Sequence, residues 1–248
     1  MEISLLTIQC LGIGRGATNF KTGDPSSAYV IKRYCRPILL LDCGAGVGRS
    51  ALKLLNGSLP SDIYLSHNHT DHTGDLPLYI ATWPKQAERI SLFGHEAVLE
   101  IVRSHRLHEL SSLELQPSDA VSWNPADTEN KIEVAGLTLE LFQSAHNYLC
   151  FGFRLYDKGS LLLGWTADSR FKQDIYKTVA AAPTAIVHGR DAPSGDHASF
   201  EEIDLFAINY PNTQFYVSHY ERSKYAFSAA NVTLLKIGQE VVIDNVSA

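Results

Sequence analysis

Short apolar runs of strand length and runs with helical spacing follow one another along the whole chain. The strand-like runs are Ile3–Cys10, Ala28–Arg33, Pro37–Asp42, Asp62–His67, a hairpin over Lys131–Ser144, Leu149–Tyr156, Leu161–Thr166, Thr184–His188, Gln214–Ser218 and Glu240–Asp244. Apolar residues recur at helical spacing in Val47–Leu55, Asp75–Trp83, Glu96–Leu107, Phe171–Ala181 and Ser199–Asn209. Because strands lead and helices follow in both halves, the pattern predicts an α/β fold of two sheets with helices outside.

The composition is that of an ordinary globular protein, with 248 residues of which 45% are hydrophobic and 19% charged. There is no linker, low-complexity tract or repeat, so we expect one domain over residues 1–248. No apolar run reaches the roughly 18 residues of a membrane span. An acid also stands where a signal peptide would carry bases. These features predict a cytoplasmic protein without a membrane partner.

The charge balance limits the class of partner. Lys and Arg number 21 against 27 Asp and Glu, which gives a net charge of −6. Such a field repels a long nucleic acid, although a local basic patch could still hold a small phosphate. The cysteines show no C-x-x-C spacing and are interpreted as reduced core residues, namely Cys10, Cys35, Cys43 and Cys150.

The strongest chemical signal is a histidine cluster at the end of a predicted buried strand, His67-Asn68-His69-Thr70-Asp71-His72. Three imidazoles and a carboxylate are costly to bury without partners, and both groups are ligands of zinc-type ions. Alternate residues of an extended loop share a side, so His67 and His69 can meet one ion while Asp71 and His72 face another. Six residues cannot close two sites. Further ligands are expected at other strand ends, which converge on one edge of a sheet: His146, Asp168 and His219.

This ordered set of residues, together with the segments CLGIGRG, PSSAYVI and LLLDCGAG, resembles the metallo-β-lactamase superfamily over essentially the whole chain. The resemblance implies an αββα sandwich with two divalent metal ions between the sheets, usually zinc, with manganese or iron as alternatives. It implies that one ion is held by His67, His69 and His146. The other ion would be held by Asp71, His72 and His219, and Asp168 would bridge the two.

Three segments are similar to the RNase Z-like phosphodiesterase branch of that superfamily, namely HNYLCFGFR after Ala145, Thr166–Arg170, and His197-Ala198-Ser199. In this branch the last histidine assists catalysis, which implies the same role for His197. Two departures stand out. The chain has His188-Gly189 where the branch has His-Glu, so a partner carboxylate is lost unless Asp191 or Asp196 replaces it.

The second departure concerns size. Only 21 residues separate His146 from Asp168, which leaves no room for the long arm that grips tRNA. The chain is more similar to compact relatives that cleave small cyclic phosphates. These include the cyclic-phosphate enzymes of phosphonate breakdown and the anti-Pycsar family, which linearises cyclic nucleotides. The resemblance also implies a homodimer.

The resulting hypothesis is metal-dependent hydrolysis of a small cyclic phosphodiester, most specifically a 3′,5′-cyclic mononucleotide, by hydroxide that two metal ions generate at neutral pH. Asp71 and His197 are the expected catalytic residues, with His197 serving the leaving oxygen. Arg190 and Tyr220 are expected to contact the substrate, with Arg154 and Arg170 as alternatives to Arg190 for holding a phosphate oxygen. Three alternatives stay open: a lactonase or thioesterase of the same superfamily, an RNase Z-like endonuclease acting on RNA 3′ ends, and a non-catalytic metal-binding scaffold.

Overall fold

The computed structural model describes residues 5–82, 89–108, 110, 120–192 and 194–243. The strands are β1 Leu6–Gly12, β2 Ala28–Arg33, β3 Arg36–Leu41, β4 Asp62–Leu65, β5 Ile90–His95, β6 Val121–Ala126, β7 Ile132–Val134, β8 Leu137–Gln143, β9 Phe151–Asp157, β10 Ser160–Trp165, β11 Thr184–Arg190, β12 Ala198–Ser199, β13 Gln214–Ser218, β14 Val232–Leu234 and β15 Glu240–Val242. The helices are α1 Thr18–Thr22, α2 Val47–Leu54, α3 Thr70–Thr73, α4 Leu76–Ala81, α5 Glu96–Ile101, α6 Gln173–Ala180 and α7 Phe200–Ala207. The predicted element ends Ile3, Trp83 and Asp244 lie outside the described residues.

The strands form two sheets. One runs in the order β15-β1-β2-β3-β4-β5-β6, and the other in the order β14-β13-β11-β10-β9-β8-β7, with β12 paired to β11. Each sheet contains a block of parallel strands, β3 to β6 in the first sheet and β10, β11, β13 and β14 in the second. The carboxyl ends of parallel strands share one edge of a sheet, where binding sites form. Each sheet therefore presents an edge suited to a site.

Three hydrophobic clusters separate the layers. The central one lies between the sheets and includes the fully buried Tyr29, Tyr64 and Trp165, which meet edge to face. A second cluster packs α2, α4 and α5 on the outside of the first sheet, and a third packs α6 and α7 on the second sheet. The layers are therefore helix, sheet, sheet and helix. The predicted αββα sandwich is confirmed.

Local sequence features explain several element boundaries. The hairpin between β7 and β8 turns at Ala135-Gly136 as predicted, and both residues have positive φ. Gly164 lies in β10 beneath α6, where an added Cβ would stand 2.5 Å from the Cα of Val179. Only glycine permits this close approach of strand and helix.

The helix predicted over Glu96–Leu107 is shorter than expected. It begins at a cap in which His95 Nδ1 accepts the Ala97 amide, and α5 ends at Ile101. The chain then continues as a π-helical turn over Val102–Arg106. A π-helical turn shifts the following side chains around the helix axis, an arrangement frequent near functional sites. Among the described residues, no helix is long and apolar enough to cross a membrane.

Candidate metal centre

The predicted ligand residues follow strand ends on facing edges of the two sheets. The loop after β4 and the short helix α3 carry His67, His69, Asp71 and His72. Asp168 follows β10, His219 follows β13, and His146 lies between β8 and β9. The structure brings all seven side chains into one buried cluster at the seam between the sheets.

Residues in the left-handed conformation turn the chain sharply at three strand ends beside the cluster. Asp42 after β3, Ala167 after β10 and His219 after β13 have φ values of 60°, 49° and 66°. A non-glycine residue pays about 1–2 kcal/mol for this conformation. The fold thus holds backbone strain at the points where the side chains of the cluster are delivered.

Four residues form one group of possible ligands: His67, His69, His146 and Asp168. Each offers one ligand atom, and these four atoms all lie within 4.8 Å of one another. His146 Nε2 lies 3.4 Å from His69 Nδ1 and 3.9 Å from Asp168 Oδ2. His67 Nε2 lies 3.6 Å from the same carboxylate oxygen. Three imidazole nitrogens and one carboxylate oxygen form a donor set of the zinc type.

The second group surrounds the same aspartate from the other side. His72 Nε2 and His219 Nε2 each lie 3.4 Å from an oxygen of Asp168. The Asp71 Oδ2 atom lies 3.7 Å from His72 Nε2 and 3.9 Å from His219 Nε2. Asp168 is therefore shared by both groups, with imidazoles on each side.

The chemistry of these donors fits divalent cations. The Nε2 atoms of His67 and His72 are buried and have no hydrogen-bond partner among the described residues. Their other ring nitrogens are held, His67 Nδ1 by Ser66 Oγ at 3.0 Å and His72 Nδ1 by Asp42 at 2.6 Å. A buried nitrogen without a partner is costly, and a metal ion removes that cost.

Electrostatics prepare the cluster for cations. Burial lowers the pKa of His67 and of His219 well below the usual range, which keeps both rings neutral and able to bind metal. Burial raises the pKa of Asp168, but the surrounding histidines, with hydrogen bonds from His188 and His197 among them, together outweigh burial and hold the pKa well below its usual range. The central carboxylate is therefore ionised at neutral pH.

Asp42 is a functional residue that the sequence analysis did not single out. It is fully buried and accepts hydrogen bonds from the Ser66 amide at 2.8 Å, the Ser66 hydroxyl at 2.7 Å and His72 Nδ1. A carboxylate behind a ligand histidine fixes its tautomer and orientation. The available signal was the acid that ends the apolar run PILLLD.

His188 holds Asp168 in place. Its Nδ1 lies 2.7 Å from Asp168 Oδ1, and its Nε2 lies 2.9 Å from the Tyr29 hydroxyl and 3.4 Å from Trp165 Nε1. The indole N–H can only donate, so Nε2 is the acceptor and Nδ1–H donates to Asp168. Because both ring nitrogens are engaged in this way, His188 supports the cluster from behind.

The carboxylate replacements considered for the missing glutamate do not reach His197. The Asp191 carboxylate accepts from the Ser223 hydroxyl at 2.6 Å, and Asp196 offers its backbone carbonyl to His146. In the described ranges neither side chain has a hydrogen bond to His197. Position 189 is closely packed, because a Cβ on Gly189 would lie 2.6 Å from Ile203 Cδ1, and that methyl group would have to shift to admit a side chain.

His197 lies at the cluster. Its Nε2 is 3.0 Å from Asp168 Oδ2, and its ring stacks on His219 with centroids 4.7 Å apart. Ser199, two residues later, forms a capping box with Glu202 at the start of α7. The helix start therefore fixes the approach of His197 to Asp168.

The arginines considered for phosphate binding differ in their positions. Arg190 reaches the cluster, with its Nη2 atom 3.4 Å from His197 Nε2. Arg154 pairs with Glu140 at 2.6 Å on the strand surface. Arg170 is exposed and its Nε donates to the Ala145 carbonyl. Among these three arginines, only Arg190 contacts His197 beside the cluster in the described structure.

The predicted substrate contact of Tyr220 does not agree with its placement. Its side chain is buried against Phe200, and its hydroxyl donates to the Leu235 carbonyl at 2.5 Å. Burial raises the pKa of Tyr220 to about 12. The hydroxyl completes the hydrogen bonding of the core, and a side chain so engaged is not available to a substrate.

The π-helical turn contacts the histidine loop. Arg106 Nε donates to Asn68 Oδ1 at 3.3 Å, and its Nη2 donates to the Asn68 carbonyl at 3.2 Å. Asn68 lies between the ligands His67 and His69. Arg106 therefore fixes the backbone that carries both rings, a role without a signal in the sequence because it depends on the π-helical register.

Comparisons with known proteins identify the family and the fold. A family model described as "Anti-Pycsar protein Apyc1" matches residues 6–241. The "Probable metallo-hydrolase YhfI" of Bacillus subtilis (strain 168) is 27% identical over 146 residues, which are 54% of this chain and 53% of the relative. The aligned segment thus spans about half the length of that curated relative.

Solved structures share the fold at low identity. The metallo-beta-lactamase fold protein YhfI from Bacillus subtilis superposes with a TM-score of 0.76 and 18% identity over 96% of this chain and 99% of its own. A diphosphatase from the PhnP family gives 0.73 and 14% over 97% and 98%. The short form of human tRNase Z gives 0.69 and 19% over 96% and 99%. The chain has the metallo-β-lactamase fold.

Proposed function

Because this chain belongs to the Anti-Pycsar protein Apyc1 family, we propose that it is a metal-dependent phosphodiesterase that hydrolyses 3′,5′-cyclic mononucleotides. The observation that carries this proposal is the cluster of five imidazoles and two carboxylates centred on Asp168, in which the buried Nε2 atoms of His67 and His72 have no hydrogen-bond partner among the described residues. The anti-Pycsar resemblance supplies the substrate class, and the cluster supplies the chemistry.

The proposed centre contains two ions, zinc first among the candidates and manganese or iron as alternatives. One would be held by His67, His69 and His146 and the other by Asp71, His72 and His219, with Asp168 between them. When bound, such ions act as Lewis acids and lower the pKa of water from 15.7 to about 7. Asp42 and His188 hold the ligand side chains in orientation from behind.

His197 is placed to handle the proton of the leaving group. Its Nε2 is already within hydrogen-bond distance of Asp168, and its Nδ1 is buried without a partner in the described part of the chain. An imidazole that gives its proton to the ribose oxygen as the P–O bond breaks raises the rate by about 10²–10⁴-fold. The His219 ring stacks on the His197 ring and holds its orientation.

Charge favours a phosphodiester over the lactone and thioester alternatives. Arg190 brings a half-buried guanidinium to the edge of the cluster, next to His197. A guanidinium pairs well with phosphate oxygens, whereas a lactone or thioester is neutral and makes little use of it. An endonuclease role on RNA is disfavoured by the net charge of −6.

The test is hydrolysis of 3′,5′-cyclic AMP, GMP, CMP and UMP by metal-loaded protein, with metal content measured by elemental analysis. We expect turnover of at least one of them that is lost in Asp71→Ala and retained in Tyr220→Phe, which removes a hydroxyl engaged in the core. Turnover of an acyl-homoserine lactone and of none of the cyclic nucleotides, with metal bound, would contradict the proposal. The homodimer and the cytoplasmic location stay predictions, the former open to light scattering.

A further inference from the structure

A second arginine approaches the metal centre from the glycine-rich loop after β1. The Gly16 amide donates to the Asp71 carboxylate, so the loop is fixed to the centre and Arg15 is held beside it. Its guanidinium lies 3.5 Å from Glu221 Oε1, an oxygen it shares with Lys21 at 3.1 Å. One carboxylate thus serves two cations, and positive charge is left over at this point.

Arg190 faces the same space from β11. Its Nε is buried and has no hydrogen-bond partner among the described residues, and its Nη2 lies 3.4 Å from His197 Nε2. Arg15 and Arg190 line one pocket, and burial first, and then the charge of Arg15, lower the pKa of Arg190. Two cations placed side by side repel each other unless an anion lies between them.

A pocket of about 320 Å³ joins the two arginines. Its wall includes Ser194, whose Oγ accepts the amides of Asp196 and His197 and therefore keeps its own hydrogen for a further acceptor. Among the described residues its lining has no aromatic side chain, and three arginines outnumber the two carboxylates of Asp191 and Glu221, so it suits a phosphate better than a nucleobase. Guanidinium and hydroxyl donors are the usual partners of phosphate oxygens.

We propose that Arg15 and Arg190 form an anion subsite that binds a phosphate group of the substrate or product beside the metal centre. This inference rests on the proposed phosphodiesterase function. Hydrolysis of a phosphodiester turns a group with one negative charge into a monoester that carries up to two at neutral pH. Guanidiniums outside the cluster of ligands are suited to hold that added charge.

The experiment measures binding, so that it does not depend on turnover. Inorganic phosphate is titrated by calorimetry into metal-loaded wild type, Arg15→Gln and Arg154→Gln at pH 8, with metal content determined for each protein. Arg154 is the matched control: it pairs with Glu140 at 2.6 Å and does not line this pocket, so its replacement removes the same charge away from the proposed subsite. We expect the Kd for phosphate to rise about tenfold in Arg15→Gln and to change less than twofold in Arg154→Gln.

Arg15→Lys separates charge from loop structure, because it keeps the cation on the same backbone. It should recover much of the affinity that Arg15→Gln loses, with the same metal content. Equal phosphate affinity in wild type and Arg15→Gln, with metal bound in both, would overturn the subsite. A protein that binds phosphate through Arg15 yet hydrolyses no cyclic nucleotide would keep the subsite and refute only the proposed function.

Two substrates identify which phosphate the subsite holds. If it holds the phosphate that is hydrolysed, Arg15→Gln lowers kcat/KM for bis-p-nitrophenyl phosphate about tenfold. If it holds a second phosphate, that value is unchanged and inhibition by pyrophosphate weakens instead. Either result supports the subsite. No change in both measurements would count against it.

Discussion

Replacing Asp42 by asparagine tests whether the carboxylate behind His72 sets the metal affinity. The substitution keeps the shape of the side chain but exchanges one accepting oxygen for an NH₂ group that can only donate. Asp42 accepts three hydrogen bonds, two from Ser66 and one from His72 Nδ1, and it is fully buried. At least one of these donors therefore loses its acceptor in the variant.

The expected size of the effect follows from those contacts. A partner behind a ligand histidine changes metal affinity by about 10–100-fold, equivalent to about 1.4–2.8 kcal/mol. A buried donor left without a partner costs a further 1–3 kcal/mol, roughly, in the free energy of unfolding. Asp42→Asn should thus weaken metal binding and lower the stability of the metal-free protein together.

The assay is competition for zinc with a fluorescent chelator, paired with urea unfolding of the metal-free protein. Asp75→Asn is the control, since Asp75 accepts the Gly48 amide and contacts no ligand histidine in the described structure. It should leave zinc affinity unchanged. The reasoning is refuted if Asp42→Asn binds zinc within twofold of wild type while losing stability, because Asp42 would then support only the fold.

Four further outcomes are expected. Arg106→Gln should weaken zinc binding about tenfold by loosening the histidine loop, measured by chelator competition. His197→Ala should lower turnover at least about a hundredfold with metal content unchanged, measured by steady-state kinetics and elemental analysis. Gly164→Ala should cost about 1–3 kcal/mol of unfolding free energy in urea, because its Cβ would meet Val179. The stabilisation from the wild-type His95 cap should shrink as pH falls below about 6.5: burial lowers the pKa of His95 in the folded protein, so the unfolded chain binds the proton more tightly, and in urea unfolding the advantage of wild type over His95→Asn should be smaller at pH 5.5 than at neutral pH.

Controls distinguish these effects from general damage. Arg103→Gln, in the same π-helical turn but stacked on Trp123, should not change zinc affinity. His105→Ala, on the exposed surface, should retain turnover, and Gly195→Ala, with open space around it, should retain stability. His95→Asn keeps a pH-independent cap, so a wild-type advantage that does not shrink on acidification would contradict the capping argument. Equal losses of zinc affinity in Arg103→Gln and Arg106→Gln would contradict the role given to the contact between Arg106 and Asn68.

The sequence predicts the layers of this fold well because each layer leaves a periodic trace. Gln214–Ser218 is a strand with the predicted bounds, and the strand predicted in PILLLDC is found as β3, which ends at Leu41 directly before an acid and is fully buried only in its second half. The residues that come together in the cluster were predictable because rare side chains such as His146 and Asp168 follow strand ends. Contacts made by ordinary residues were not. Arg106 reaches Asn68 only through the π-helical register, which no spacing rule anticipates.

Tyr220 shows the opposite error, in which closeness in sequence to a ligand suggested closeness to the substrate. The chain turns sharply at His219, whose φ is positive, and the next side chain is directed into the core beside Phe200. Arg15, more than 200 residues away in sequence from Glu221, is brought beside it by the sandwich. Long-range pairs of this kind need the folded topology before they can be recognised.

The division of the ligands between the two sheets has a consequence for assembly. His67, His69, Asp71 and His72 come from the first sheet, and the remaining ligands of the proposed centre come from the second. Bound ions would therefore act as a cross-link at the seam, adding about 4.1 kcal/mol to stability at a thousand times the Kd. The centre cannot be completed until residue 219 has been synthesised and both sheets have docked. Metal occupancy would thus indicate that the two sheets have docked.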